Sequence, residues 1–275
     1  MEAAIPHPLP TAPPAPADLR YAGVARLFGL AGLARLRAAE VAVIGLGGVG
    51  SWAAEALARS GVGRLILVDL DEICVSNINR QVHALHHTVG QPKVEAMAER
   101  LRGIDPGLEV EARAAFFTEA NADALLRPGL SGVIDAIDSL SHKVLLCALG
   151  VARGIPVVTA GGAAGRTDPT RVRCLDLGAT HGDPLLFKLR KKLRQDHGFT
   201  RREGGPFGIT AVFSDEPLRY AQPDGGVCGE KPAGASLRLD CASGLGTAAF
   251  VTGAFGLAAA GWLVRKLAAE PAAGP

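Results

Sequence analysis

The chain has 275 residues, 48% of them hydrophobic, with a formal net charge of +2. This length suits one large α/β domain or one domain with an embellishment, and the composition supplies a substantial core. The near-neutral charge excludes a strong global field. The five scattered cysteines (Cys74, Cys147, Cys174, Cys228, Cys241) exclude a disulfide framework and point to a reducing compartment.

Residues 1–18 carry six prolines and no basic residue. They lack the charged start and apolar run of a signal peptide, so a disordered tail is expected. VAVIGLGGVG (41–50) is expected to form a strand, apolar on both faces, that runs into Gly45-x-Gly47-Gly48-x-Gly50. A helix follows, with Ser51 near its start and Gly61 and Gly63 ending it. Residues 64–71 form a second buried strand. Pro92 sits in the first turn of a helix over 93–103, stopped by Gly103. Next come a strand (108–116), a helix capped by Thr118 (118–127), a strand (132–138), a helix capped by Ser139 and a strand (155–162). This alternation predicts a doubly wound, mostly parallel, Rossmann-like α/β sheet. After Gly165 the pattern turns into an α+β extension. It holds a strand at 171–177, a basic helix at 184–196, a strand at 209–214 and a Gly/Pro-rich loop at 221–236. Cys241 to Val264 contains no charge and is long enough to cross a bilayer. Its many glycines and sparse large aliphatics favour a buried helix over membrane contact.

The glycine loop marks a phosphate site, because glycines let backbone N–H groups approach an anion at an electropositive helix start. Asp69, at the end of the second strand, can accept hydrogen bonds from ribose hydroxyls. On these residues NAD and ATP fit equally well. Asn77, Arg80 and Gln81 follow the second strand, Lys93 starts a helix, and Asp138 ends a further strand. Carboxyl ends of neighbouring strands meet at one crevice, so two cations and a carboxylate converge on the loop. That much charge suits a triphosphate under attack better than a dinucleotide's pyrophosphate. Asp138 is the natural hard-oxygen ligand for Mg²⁺.

GLGGVG, DLDEICVSNINRQ, VGQPKVEAMAERLRGIDP and DAIDS resemble the ThiF/MoeB/HesA-type adenylyltransferases, relatives of ubiquitin-activating enzymes, over roughly residues 20–165. The resemblance implies ATP, Mg²⁺, a homodimer and adenylation of a carboxylate. It places Asp69 on the ribose, Asn77 and Lys93 on the phosphates, Arg80 on the transition state and Asp138 on the metal. Asp71 and Gln81 complete the ATP site. It also implies an N-terminal arginine, Arg20 or Arg26, that reaches the partner subunit's site. Many members that act on sulfur carriers hold zinc with two CxxC pairs. This chain has no CxxC, so no zinc is expected and a sulfur-carrier substrate is disfavoured.

RYAGVARLFG, GGAAGRTDPT, DPLLFKLRKKLRQDHGF and DCASGLGTAAFVTGAFG resemble the tRNA threonylcarbamoyladenosine dehydratase subgroup. The implied organisation is a single adenylation domain at 19–268, between the tails 1–18 and 269–275. Residues 40–165 would bind ATP, and 166–268 would serve substrate and dimer. The implied reaction is ATP-dependent cyclisation of the threonylcarbamoyl group on tRNA.

Residues 188–202 contain seven Lys/Arg and one acid. Leu185, Leu189 and Leu193 can pack as a stripe, leaving Lys188, Arg190, Lys191, Lys192 and Arg194 for tRNA phosphates. Cys241, beside an acid, is a candidate reactive thiol that would meet a sulfur-transfer protein. Cys74, Cys147 and Cys174 are expected to be packing residues, while His83, His86, His87 and His181 carry no assigned task. The expected setting is cytoplasmic, with peripheral membrane association through 241–264 as a variant. The competing functions are activation of a small sulfur-carrier protein's C-terminus, a non-catalytic nucleotide-binding adaptor, and a NAD-dependent oxidoreductase.

Overall fold

One seven-stranded sheet organises the chain, which the computed structural model describes over residues 18–202, 204–231 and 245–269. Its strands are β1 (Glu40–Ile44), β2 (Arg64–Val68), β3 (Glu109–Arg113), β4 (Gly132–Asp135), β5 (Val157–Ala160), β6 (Val172–Asp176) and β7 (Ile209–Ser214). They lie in the order β3-β2-β1-β4-β5-β7-β6. All pairings are parallel except β6 with β7. The central strands are covered on both faces, which explains their continuous apolar runs. The doubly wound expectation holds. β6, which runs back along β7, makes the extension part of the same sheet.

On one face lie α1 (Ala22–Ala38), α2 (Gly50–Arg59), α3 (Lys93–Ile104) and, from the C-terminal end of the chain, α7 (Ala249–Ala268). On the other lie α4 (Glu119–Leu125), α5 (Leu140–Ala152) and α6 (Pro184–Asp196). Several details depart from expectation. Pro92 is the residue before α3 rather than in its first turn, and Gly103 lies inside that helix. Thr118 is the N-cap of α4 as expected, and Asn121 Oδ1 accepts from its N–H at 2.8 Å to close the helix start. A small hairpin, β8 (Tyr220–Ala221) with β9 (Val227–Cys228), interrupts the Gly/Pro-rich loop.

The helix formed by the uncharged C-terminal stretch, α7, is a packing element. Val251, Phe255, Ala259 and Leu263 of α7 are fully buried against the sheet and α2. Burial contributes about 1.5–3 kcal/mol for each of the large side chains. A Cβ on Gly256 would lie 2.4 Å from Val49 O and 2.8 Å from the Trp52 Cβ, so the two helices meet through glycine. Among the described residues, no helix is long and apolar enough to cross a membrane.

The N-terminal helix is tied in by Asp105, which is fully buried at the end of α3. Its carboxylate accepts from the Tyr21 hydroxyl at 2.8 Å and pairs with Arg37 at 2.7 Å and Arg20 at 2.9 Å. Burial alone would push this carboxyl up. The hydrogen bonds from Tyr21 and Arg37 prevail and hold it down at about 2.

Candidate active site

The carboxyl ends of β1, β2, β4 and β5 open on a cleft of about 490 Å³. Its floor is the turn from β1 into α2, where two glycines are sterically required. Gly45 has φ +89°, and a Cβ there would lie 2.8 Å from Ala136 O. A Cβ on Gly50 would lie 1.8 Å from Gly45 O. Gly47 lines the cleft and has no neighbour within 4 Å of a Cβ position, so its backbone lies open to a ligand. The loop thus turns its backbone and the positive end of α2 towards the cleft, a geometry that suits an anion.

Asp69 stands one residue beyond β2. Its Oδ2 accepts from Leu46 N at 2.6 Å and its Oδ1 from Asp71 N at 2.9 Å. Burial pushes this carboxyl up, against the pull of Lys93 and the two N–H groups. The Lys93 side chain is buried, its Nζ 2.7 Å from Asp71 Oδ2 and 4.0 Å from Asp69 Oδ1. The reason is local. Lys93 N donates to Asp71 O at 3.0 Å and Pro92 bridges to Glu72, so α3 starts against the exit of β2.

Arg80 is carried by a loop clamped from two helices. Trp52 Nε1 of α2 donates to Arg80 O at 3.0 Å, and Thr252 Oγ1 of α7 reaches the same oxygen at 3.4 Å. The Arg80 Cδ lies 3.3 Å from the Cβ position of Gly48, beside the glycine loop. Its Nη1 donates to Ser76 O and Asn79 Oδ1. Asn77 and Gln81 are buried at the same wall, Asn77 Oδ1 accepting from Cys74 N at 3.0 Å.

Asp138 is exposed at the cleft, and a buried pair beneath it shapes its turn. Asp135 and Lys143 are both fully buried. Lys143 Nζ donates to Asp135 Oδ2 at 2.8 Å, to Thr159 Oγ1 at 3.2 Å and to Ala160 O at 3.0 Å, using all three of its protons. Asp135 Oδ1 accepts from Ile137 N at 3.1 Å, which bends the chain towards Asp138. Removing either partner would leave a buried charge, at a cost of about 3–5 kcal/mol.

Of the residues named from the sequence for a nucleotide, all line this cleft except Gly50, which is buried beneath the loop. The sequence reading missed Asp135, Lys143, Phe116, His142, the segment 161–164 and Thr252. The first two carry a legible signal, since an acid at a strand end and a Lys in the first turn of the next helix suggest a pair. The Phe116 and His142 rings lie near-parallel at the cleft, centroids 6.4 Å apart. Cys74 is exposed and lines the cleft, because β2 ends before it, so it is no packing residue. Cys147 and Cys174 do pack. Burial pushes both thiols up, Cys147 well above the usual range.

The other named residues lie apart. Arg20 is occupied within its own chain by Asp18 and Asp105, whereas Arg26 is exposed. On α6 the buried stripe is Leu186, Leu189 and Leu193, and Leu185 lines the cleft instead. Lys188, Lys191 and Lys192 are exposed. Arg190 and Arg194 are half-buried, bonded to Thr180 Oγ1 and to Thr200 O respectively. His83 is buried with neither ring nitrogen bonded. His86, His87 and His181 are exposed. Cys241 lies outside the described residues.

A model of the ThiF family matches residues 21–273. The chain is 46% identical over 254 residues to the tRNA threonylcarbamoyladenosine dehydratase of Escherichia coli (strain K12), covering 92% of this chain and 95% of that protein. The crystal structure of E. coli tRNA N6-threonylcarbamoyladenosine dehydratase, TcdA, in complex with ATP superposes with a TM-score of 0.79 at 42% identity, covering 90% of this chain and 93% of that one. The same enzyme in complex with AMP gives 0.80 at 43% identity, with the same coverage.

Proposed function

The chain belongs to the ThiF family, and we propose that within it the chain is an ATP-dependent tRNA threonylcarbamoyladenosine dehydratase. The observation that carries this reading is the convergence of the glycine loop, Arg80, Lys93 and Asp138 on one cleft, in a chain that matches such a dehydratase over nine-tenths of its length. ATP lies with its phosphates on the Gly45–Gly50 loop and its ribose at Asp69. The Phe116 and His142 rings flank the base.

The threonine carboxylate attacks the α-phosphate of ATP and displaces pyrophosphate, giving an acyl adenylate. Arg80 and Lys93 stabilise the negative charge that builds on the phosphate oxygens. Asp71 holds Lys93 in reserve until a phosphate competes for it. The carbamoyl group of the same nucleoside then attacks the activated carbonyl and loses a proton. The ring closes and the former carboxylate oxygen leaves on AMP, so the base has lost the elements of water. The second nucleophile is tethered to the first, which makes this step intramolecular. No enzyme side chain is acylated.

The donor set at the cleft fits Mg²⁺, a cation usually held by one or two carboxylates plus substrate phosphates. Asp138, an exposed carboxylate facing the same cleft, would hold it. When bound, the cation neutralises phosphate charge. The exposed lysines of α6, whose first turn borders the cleft through Leu185, face the tRNA backbone. The active form is a homodimer in which Arg26 serves the partner's site. Leu27 and Leu30 support this, standing 78% and 42% exposed beside that arginine.

Purified protein incubated with ATP and tRNA bearing threonylcarbamoyladenosine should release pyrophosphate and AMP, and the nucleoside should lose one water by mass spectrometry. Pyrophosphate release that is indifferent to the modified nucleoside would overturn the assignment.

A further inference from the structure

The cleft and the basic helix share one buried carboxylate. Asp183 is 4% exposed and immediately precedes α6. Its Oδ1 accepts from Leu186 N at 2.9 Å, closing the first turn. Its Oδ2 reaches the other way, accepting from Gly162 N at 3.0 Å and from Arg166 Nη2 at 3.3 Å. Gly162 belongs to the segment that walls the cleft, and Leu185, two residues past Asp183, lines that cleft as well.

A serine or threonine would cap α6 as well as an aspartate does, so the second set of bonds exceeds what the helix needs. Two observations show that the link is built. A Cβ on Gly161 would lie 2.4 Å from Asp183 Oδ2, so the wall is glycine where the carboxylate approaches. Arg166 is itself buried, and its Nη1 has no hydrogen-bond partner. An ion pair buried at that expense contributes little to stability as such.

We infer that Asp183 is a positioning residue that couples the nucleotide cleft to the seat of α6, so that a nucleotide in the cleft and tRNA on the lysine face tighten each other's binding. This rests on the reading of α6 as the tRNA-facing helix. Linkage makes such coupling reciprocal, and a factor on the order of tenfold is typical.

The variant Asp183→Ser keeps a helix-capping oxygen but is too short to hold Gly162 and Arg166. Two measurements on the full chain decide the matter. The first is hydrogen exchange of the early α6 amides with and without ATP. The second is tRNA affinity with and without a non-hydrolysable ATP analogue. In the wild type, ATP should slow exchange in α6, and the analogue should tighten tRNA about tenfold. In Asp183→Ser, ATP affinity should stay within about twofold, while both responses disappear. A purely structural role would lower the melting temperature and leave the coupling factor unchanged.

Coupling that survives in a folded Asp183→Ser, or wild-type α6 amides that ignore ATP, would overturn the inference. Wild-type protein that fails to bind the modified tRNA would instead remove the dehydratase reading, and the exchange measurement would still decide the role of Asp183. If Asp183→Ser does not fold, Asp183→Asn keeps the capping oxygen on Leu186 N and puts an amide NH₂, which cannot accept, against Gly162 N and Arg166, and the same outcomes apply.

Discussion

His83 should make this fold lose stability in mild acid, well above the carboxylate range. The ring is 1% exposed and neither nitrogen has a partner. Burial, and then the positive charges of Lys93 and Arg100, push its pKa down from 6.5 to about 4. The unfolded chain therefore takes up a proton as pH falls through 6.5, while the folded chain resists until near 4. Stability rises with pH wherever the unfolded state binds more protons. The contribution is thus fully present above 6.5 and lost progressively down to about 4. The full gap corresponds to roughly 3 kcal/mol, and about 2 kcal/mol of it should disappear between pH 7 and pH 5. His83→Leu removes the titrating group and sacrifices no hydrogen bond, so it should be at least as stable at pH 7. Urea unfolding of both proteins at pH 7, 6 and 5 isolates the effect, since every other titrating group is common to the two. Parallel stability lines for wild type and variant would refute the argument.

The catalytic assignments predict that Arg80→Ala and Lys93→Ala each cut pyrophosphate release by about 10²-fold or more without unfolding the protein. Asp138→Asn should raise the Mg²⁺ concentration needed for half-maximal rate. Near-wild-type kinetics in all three would dismantle the proposed site. Replacing Lys188, Lys191 and Lys192 by Gln should weaken tRNA binding and leave ATP affinity unchanged. The slope of log affinity against log salt should flatten by about 0.7–0.9 for each tRNA phosphate that the variant no longer neutralises. Elemental analysis of protein purified without added metal should find well under one zinc per chain, and a stoichiometric amount would revive the sulfur-carrier alternative.

Much of the fold was legible because buried parallel strands are uninterrupted apolar runs, and because their carboxyl ends must meet. That second rule turned spacing into proximity. Arg80 comes from the connection between β2 and α3, Lys93 from the start of α3 and Asp138 from the connection between β4 and α5, yet all three line one cleft. Side-chain choices were less legible. Leu185 and Leu186 are adjacent leucines at the start of α6, and a period of 3.6 does not say which one enters the core. Packing against the second face of the sheet selects Leu186. Arg20 and Arg26 look alike as N-terminal cations, and only the fold brings Asp105 to Arg20. The buried Asp135–Lys143 pair went unread because charge in a sequence signals surface until a partner is seen.

The C-terminal helix, from the extension expected at 166–268, packs against the helix that follows the glycine loop. Length and lack of charge would let the segment span a membrane, and its glycines and sparse large aliphatics favour a buried helix. Its glycines let α7 lie against α2, the helix that starts at the glycine loop. From that position Thr252 and Trp52 both reach the carbonyl of Arg80. Thr247, just before α7, accepts from Asn79 Nδ2 at 2.9 Å through its own carbonyl. The loop that carries Arg80 into the cleft is therefore held by residues about 170 positions later in the chain. A segment that reads as an appendage in sequence is one wall of the cleft.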